Sequence, residues 1–159
     1  MNITEYIKNI VLDEHTVIRR VAHIENERNV AIRDLLEENV FNPVALNSGP
    51  YDLTLSIYDN RLHFLLYSCD NSNAEEGHRI TLAITPFRRI IKDYFMICES
   101  YFDAVKSSNS YKVEAVDMGR RGIHNEGSQL LKDLLHSKII IDFDTARSLF
   151  TLICVLHIK

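Results

Sequence analysis

The sequence predicts an α+β fold: a small antiparallel sheet with four or five helices packed on it. Three observations predict it. Residues 51–84 carry three strand patterns in succession. Residues 85–158 carry long stretches of helical periodicity. Strands and helices do not alternate regularly, which argues against a parallel, doubly wound sheet. At 159 residues, 46% hydrophobic and 25% charged, the chain is expected to form one domain over residues 1–159, with an ordinary globular composition.

The elements follow in order. Residues 7–12 (IKNIVL) are a short strand by pattern. Residues 23–40 (HIENERNVAIRDLLEENV) form a helix, with Ile24, Ala31 and Leu35 recurring beside Ile32, Leu36 and Val40. Glu25 and Glu27 suit its positive N-terminus, and Asn42-Pro43 ends it. Residues 51–58 (YDLTLSIY) alternate, with Tyr51, Leu53, Leu55 and Ile57 on one face. Asp59-Asn60 is a two-residue hairpin turn, because both residues tolerate positive φ. Residues 61–69 (RLHFLLYSC) return, 70–77 (DNSNAEEG) form a polar loop, and 79–84 (RITLAI) give the third strand. The three strands make a meander.

Thr85-Pro86 reads as an N-cap followed by proline at the first helical position. That helix runs to about Lys106. Its apolar stripe is Phe87, Ile91, Tyr94, Cys98, Tyr101 and Val105. Residues 107–110 (SSNS) break it. Residues 112–136 are helical, with a glycine-rich segment in the middle. Residues 138–141 (KIII) give a short edge strand, and Asp144 caps a last helix. That helix is apolar nearly all round from Leu149, which predicts a central place in the core.

Composition excludes several classes. The net charge is -4, so the chain lacks the basic footprint of a general nucleic-acid binder. Its opening residues mix polar and apolar types, and no stretch approaches the roughly 20 apolar residues that span a membrane. The expectation is a cytoplasmic protein with no membrane segment. Cys69, Cys98 and Cys154 form no C-x-x-C pair, and no phosphate loop, nucleophile elbow or zinc-protease motif is present. No cofactor and no metal are therefore predicted. His23 with Glu27, and Asp13-Glu14-His15, lack the spacing of a known zinc or iron site.

One stretch stands out. Residues 118–127 (MGRRGIHNEG) hold three of the five glycines, an arginine pair and a His-Asn-Glu run. If the helix breaks at Gly122, a second helix starts nearby. Its N-terminus, with Arg120 and Arg121, would cradle a phosphate or carboxylate. If the helix is continuous, glycines at 119 and 127 would let another helix approach closely, and Arg120 and His124 share a face. Each interior glycine costs roughly 1 kcal/mol against alanine, so three need a compensating reason. His124 and Glu126 are the candidate acid/base residues. Arg120 and Arg121 are the candidate anion ligands, joined by Arg88 and Arg89, whose charge opposes the helix dipole after Pro86. The bland alternative pairs Asp117 with Arg120 or Arg121.

HIENERNVAIRDLLEEN, GPYDLTLSI, TPFRRIIKDYFMICESYFDAV, VDMGRRGIHNEGSQLL and DFDTARSLFTLICVLHIK together resemble one uncharacterised protein family (UPF) of alphaproteobacteria. The resemblance covers the chain from about His23 onward. It implies a small bacterial cytoplasmic protein, and it implies no activity. The expected function is a non-enzymatic binding or regulatory module that recognises a protein partner or a small anionic ligand, compatible with a homodimer. The alternative is a small enzyme acting on a phosphorylated or carboxylated substrate through Arg120, Arg121, His124 and Glu126.

Overall fold

A computed structural model describes residues 4–13, 22–69 and 77–157, leaving aside the side chains of Ala22 and His23. Arg19-Arg20, Glu14-His15, most of the polar loop and the last two residues lie outside the described residues. The elements are β1 (Ile7–Leu12), α1 (Ala22–Glu37), β2 (Phe41–Pro43), β3 (Tyr51–Tyr58), β4 (Arg61–Ser68) and β5 (His78–Ala83). They are followed by α2 (Thr85–Lys106), α3 (Ser110–Leu135), β6 (Ile139–Ile141) and α4 (Phe143–His157). The α+β class is observed, with a four-stranded sheet ordered β1-β3-β4-β5 and a second, two-stranded sheet of β2 and β6.

The β3-β4-β5 meander is antiparallel, as its patterns predict. Asp59 and Asn60 both have positive φ, 53° and 58°, and close the β3-β4 hairpin. The sheet as a whole is mixed, because β1 runs parallel to β3. Strands that run parallel need a long crossover between them, and α1 lies within it. A register shift between Ile7 and Asn9 adds one residue to β1. That is why its apolar residues are spaced three and then two apart: Ile7, Ile10 and Leu12 still pair with Tyr51, Leu53 and Leu55. Asn39, just past α1, fastens β1 from outside. It accepts from Ile7 N–H at 2.7 Å and donates to Ile7 C=O at 2.9 Å.

Most boundaries shift by one or two residues from the sequence reading, and three differences have a clear physical reason. Helix α1 ends at Glu37, before Val40, because the chain turns into β2, a strand short enough to admit Pro43. Helix α2 starts one residue early. Its N-cap is Ile84, buried in the core and held by its N–H to Asn60 C=O at 3.1 Å, so Thr85 is already inside the first turn. For α4 the capping carboxylate belongs to Asp142, which accepts from Thr145 N–H at 2.9 Å, while Asp144 sits in the first turn. In the α2 stripe, Val105 is exposed and Ala104 takes the buried position.

Helix α3 is continuous through all three of its glycines. Asn109 caps its start by accepting from Lys112 N–H at 3.2 Å. A Cβ on Gly127 would fall inside the Phe150 ring of α4, and one on Gly119 would lie 2.7 Å from Ile97 Cδ1 of α2. These two glycines let α3 press against its neighbours, whereas Gly122 faces open space. The buried residues of α3 are His124, Gly127, Ser128, Leu131 and Leu135. Helix α4 is central, with Leu149, Phe150, Leu152, Ile153, Cys154 and Val155 all buried. It packs against α1, α3 and β3.

Candidate functional site

A groove of about 920 Å³ runs over the exposed side of α4, with α1 as one wall and α3 as the other. From α3 come Arg120, Arg121 and His124; from α4, Arg147, Ser148 and Thr151; Tyr94 reaches in from α2. The α1 wall brings Glu27, Asp34, Glu37 and Glu38, and Asp142 and Asp144 lie at the start of α4.

The arginine pair is largely neutralised within the fold. Asp117 sits one helical turn before it, so one carboxylate reaches both guanidinium groups. Arg120 Nη2 lies 2.8 Å from Asp117 Oδ1, and Arg121 Nε 3.3 Å from Asp117 Oδ2. Arg120 also lies 3.6 Å from Glu27 and over the Tyr101 ring, 4.9 Å from its centroid. Burial pulls the Arg120 guanidinium down, but Asp117, Tyr94 and Glu27 outweigh it and hold the group above its ordinary value. Tyr94 donates its hydroxyl to Glu27 at 2.8 Å, and burial followed by the Glu27 charge pushes the phenol upward.

His124 is buried at the back of the groove. Its Nε2 lies 2.8 Å from Thr151 Oγ1. Thr151 Oγ1 donates to Arg147 C=O at 3.3 Å, and Ser128 Oγ donates to His124 C=O at 2.7 Å. With both hydroxyl protons committed to carbonyls, the network is consistent when Nε2 carries the ring proton and donates to Thr151. Burial first, then the charges of Arg147 and Arg120, lower the His124 pKa from 6.5 to about 4. The ring is therefore neutral at pH 7. Tyr94 and Phe150 flank it, with ring centroids 5.3 Å away on each side.

The fold brings Arg120, Arg121 and His124 into one groove. It does not bring the other candidates there. Glu126 is exposed, and two residues along a helix turn it away from the His124 face. Arg88 donates to Asn60 at the β3-β4 hairpin, and Arg89 is 3.9 Å from Asp93 on its own helix. Because α3 does not break, Arg120 lies inside the helix and not at the start of a second one. Among the described residues, no group of three or more His, Cys, Asp or Glu could hold a metal ion. Cys98 and Cys154 are buried, and burial raises both thiols, Cys98 to about 11. A thiol held that high is a poor nucleophile.

Arg147 was missed in the sequence. It lines the groove, and its guanidinium has no ion pair among the described residues. Its signal is the one arginine or lysine in α4, four positions before Thr151.

The profile of the Uncharacterised protein family (UPF0262) matches residues 4–159. A UPF0262 protein of Rhizobium meliloti (strain 1021) is 57% identical over 149 residues, covering 94% of this chain and 92% of the relative. One from Rhizobium etli (strain CIAT 652) is 55% identical over 149 residues, with the same coverage. One from Caulobacter vibrioides is 50% identical over 151 residues, covering 95% of this chain and 92% of the relative. No solved structure matches the chain. The match begins in the residues leading into β1 and spans every element that builds the groove, and on that evidence the chain belongs to the UPF0262 family.

Proposed function

We propose that the protein is a non-enzymatic binding module that takes the anionic group of a small ligand or partner in the groove between α1 and α3. Arg147 carries this reading. It is a cation on the groove floor without an ion pair among the described residues, beside an arginine pair already neutralised by Asp117 and Glu27. A carboxylate or phosphate there would gain a charge-assisted hydrogen bond without breaking one. The groove as a whole is not an anion trap, since six carboxylates line it against three guanidinium groups. The anion is held at the arginine end only.

The enzyme alternative has less support. His124 Nε2 is occupied by Thr151, its Nδ1 faces Ser128 at 3.5 Å, and Glu126 points elsewhere. A histidine with a pKa of about 4 is a weak base at neutral pH. Action in the cytoplasm fits three free cysteines. The family's known relatives add no activity.

The test is thermal unfolding with phosphate, citrate and free amino acids, on wild type and Arg147→Ala. An anion at about a hundred times its dissociation constant adds roughly 2.7 kcal/mol. For a chain of this size that raises Tm by roughly 5–11 °C. Arg147→Ala is expected to keep the ligand-free Tm within about 2 °C, because the side chain makes no ion pair among the described residues, and to lose the shift. An unchanged wild-type Tm with every anion, or a shift that survives Arg147→Ala, would overturn the reading.

A further inference from the structure

The side of the α2-α3 hairpin that faces away from the core carries the most exposed large apolar side chains of the helices. Tyr111 is 85% exposed, Met118 63% and Met96 59%. On α3, Tyr111, Ala115, Met118 and Gly122 recur at intervals of four, three and four residues, all of them exposed. This stripe lies opposite the buried His124, Gly127, Ser128 and Leu131. Ile97 Cδ1 of α2 lies against Gly119. That contact puts Met96 level with the stripe, on the side of α2 away from the buried Tyr94 and Cys98.

The stripe alternates large and small, and its two halves match. Tyr111 stands four residues before Ala115, and Met118 four before Gly122. A second copy of α3, laid antiparallel and centred between Ala115 and Met118, sets each Tyr111 over the other's Gly122. It also sets each Met118 over the other's Ala115. The Cβ position of Gly122 is open within the protomer, which leaves room there for a phenol ring. A parallel pair would oppose like to like and leave gaps at the alanine and glycine levels.

The charges agree with the same register. Glu114 and Arg121 lie on one flank of the stripe, each just before its small residue. A two-fold axis across an antiparallel pair keeps that flank on the same side in both copies and makes every contact twice. Glu114 of one copy then lies two residues from the level of Arg121 of the other, about 3 Å at roughly 1.5 Å per residue. Glu114 has no ion pair among the described residues. Arg121 meets Asp117 through Nε at 3.3 Å, and its side chain stays 60% exposed.

We propose that this face docks a second copy of the chain, as a two-fold dimer with α3 antiparallel to α3. It does not depend on the anion reading, since the seam lies on the side of α3 away from α4 and Arg147. The seam is about three turns long, so it buries less than the roughly 1,200 Å² of a standard interface, and the dimer forms reversibly with concentration. In a dilute melt the protomers are apart, and Gly122 acts there through helix propensity alone.

The test is sedimentation equilibrium of the whole chain from about 10 μM to about 1 mM. The wild type is expected to pass from one chain to two within that range. Met118→Lys changes an exposed side chain, so the fold should stand while association weakens roughly tenfold or more. Glu114→Arg and Arg121→Glu should each weaken it too, because each sets like charges together on the flank. An equimolar mixture of these two variants should associate roughly tenfold more tightly than either alone, because every flanking pair is then opposite in sign. High salt should narrow that difference. A variant that had merely unfolded could not be rescued in this way. A wild-type chain that stays single at the highest concentration overturns the proposal and leaves the face to a different partner. A dimer that Met118→Lys leaves intact, or a mixture no tighter than its separate variants, overturns it as well.

Discussion

At the scale of single residues, His124 shows how position overrides chemical type. By type it is a candidate acid or base. By position it is a neutral, hydrogen-bonded part of the α3-α4 interface, nine-tenths buried. A histidine kept neutral in the fold takes up a proton on unfolding between pH 6.5 and about 4. The unfolded chain then binds more protons than the native one, so stability falls as pH drops through that window and levels off below it. The contribution lost is about 3 kcal/mol. His124→Gln is expected to flatten this part of the stability profile, measured by urea unfolding at several pH values between 4 and 7. A profile as steep as that of wild type would show that other groups set the slope. Thr151→Val, close in shape, strips the Nε2 proton of its acceptor and should cost about 1–3 kcal/mol in the same assay at pH 7. That i and i+4 place Arg120 and His124 together was legible in the sequence. That Thr151 and Arg147 would meet them from another helix was not, because nothing local joins residues 27 positions apart.

At the scale of elements, the glycines of α3 separate two kinds of cost. All three pay the helix penalty of roughly 1 kcal/mol against alanine. Gly122 gains nothing in return, since its Cβ position is empty. Gly122→Ala should therefore stabilise the protein by up to about 1 kcal/mol, or roughly 2–4 °C in Tm. Gly127→Ala puts a methyl into the Phe150 ring and should destabilise by about 1–3 kcal/mol or more. Circular-dichroism melts of the two variants should move in opposite directions. Equal shifts would mean that helix propensity alone governs both sites. The sequence posed the choice between a break and a close approach. The choice was settled by Phe150 and Ile97, which lie on α4 and α2 and leave no trace in the local pattern.

At the scale of the whole molecule, a few polar contacts tie the sheet to the helices that form the groove. Asn39 holds both backbone groups of Ile7 and the carbonyl of Leu35, so it joins β1 to the end of α1. Asn39→Ala leaves part-buried backbone groups unpaired and should cost about 1–3 kcal/mol. Hydrogen exchange should speed up first at Ile7 and along β1; protection that stays uniform would rule out Asn39 as the fastener. The groove should respond less, because α3 and α4 hold its floor through core contacts. The sequence by itself determined the β3-β4-β5 meander, the hairpin turn, the existence and type of all four helices and the central place of α4. Each rests on periodicity or turn chemistry within a few residues, where the solvent-facing and buried sides are fixed by the chain itself. Only the tertiary structure decided that β1 runs parallel, that α3 continues through its glycines, and that Arg147 has no ion pair among the described residues while Asp117 and Glu27 take Arg120. Those outcomes depend on which distant side chains compete for the same space and the same charge, and that competition exists only once the chain has folded.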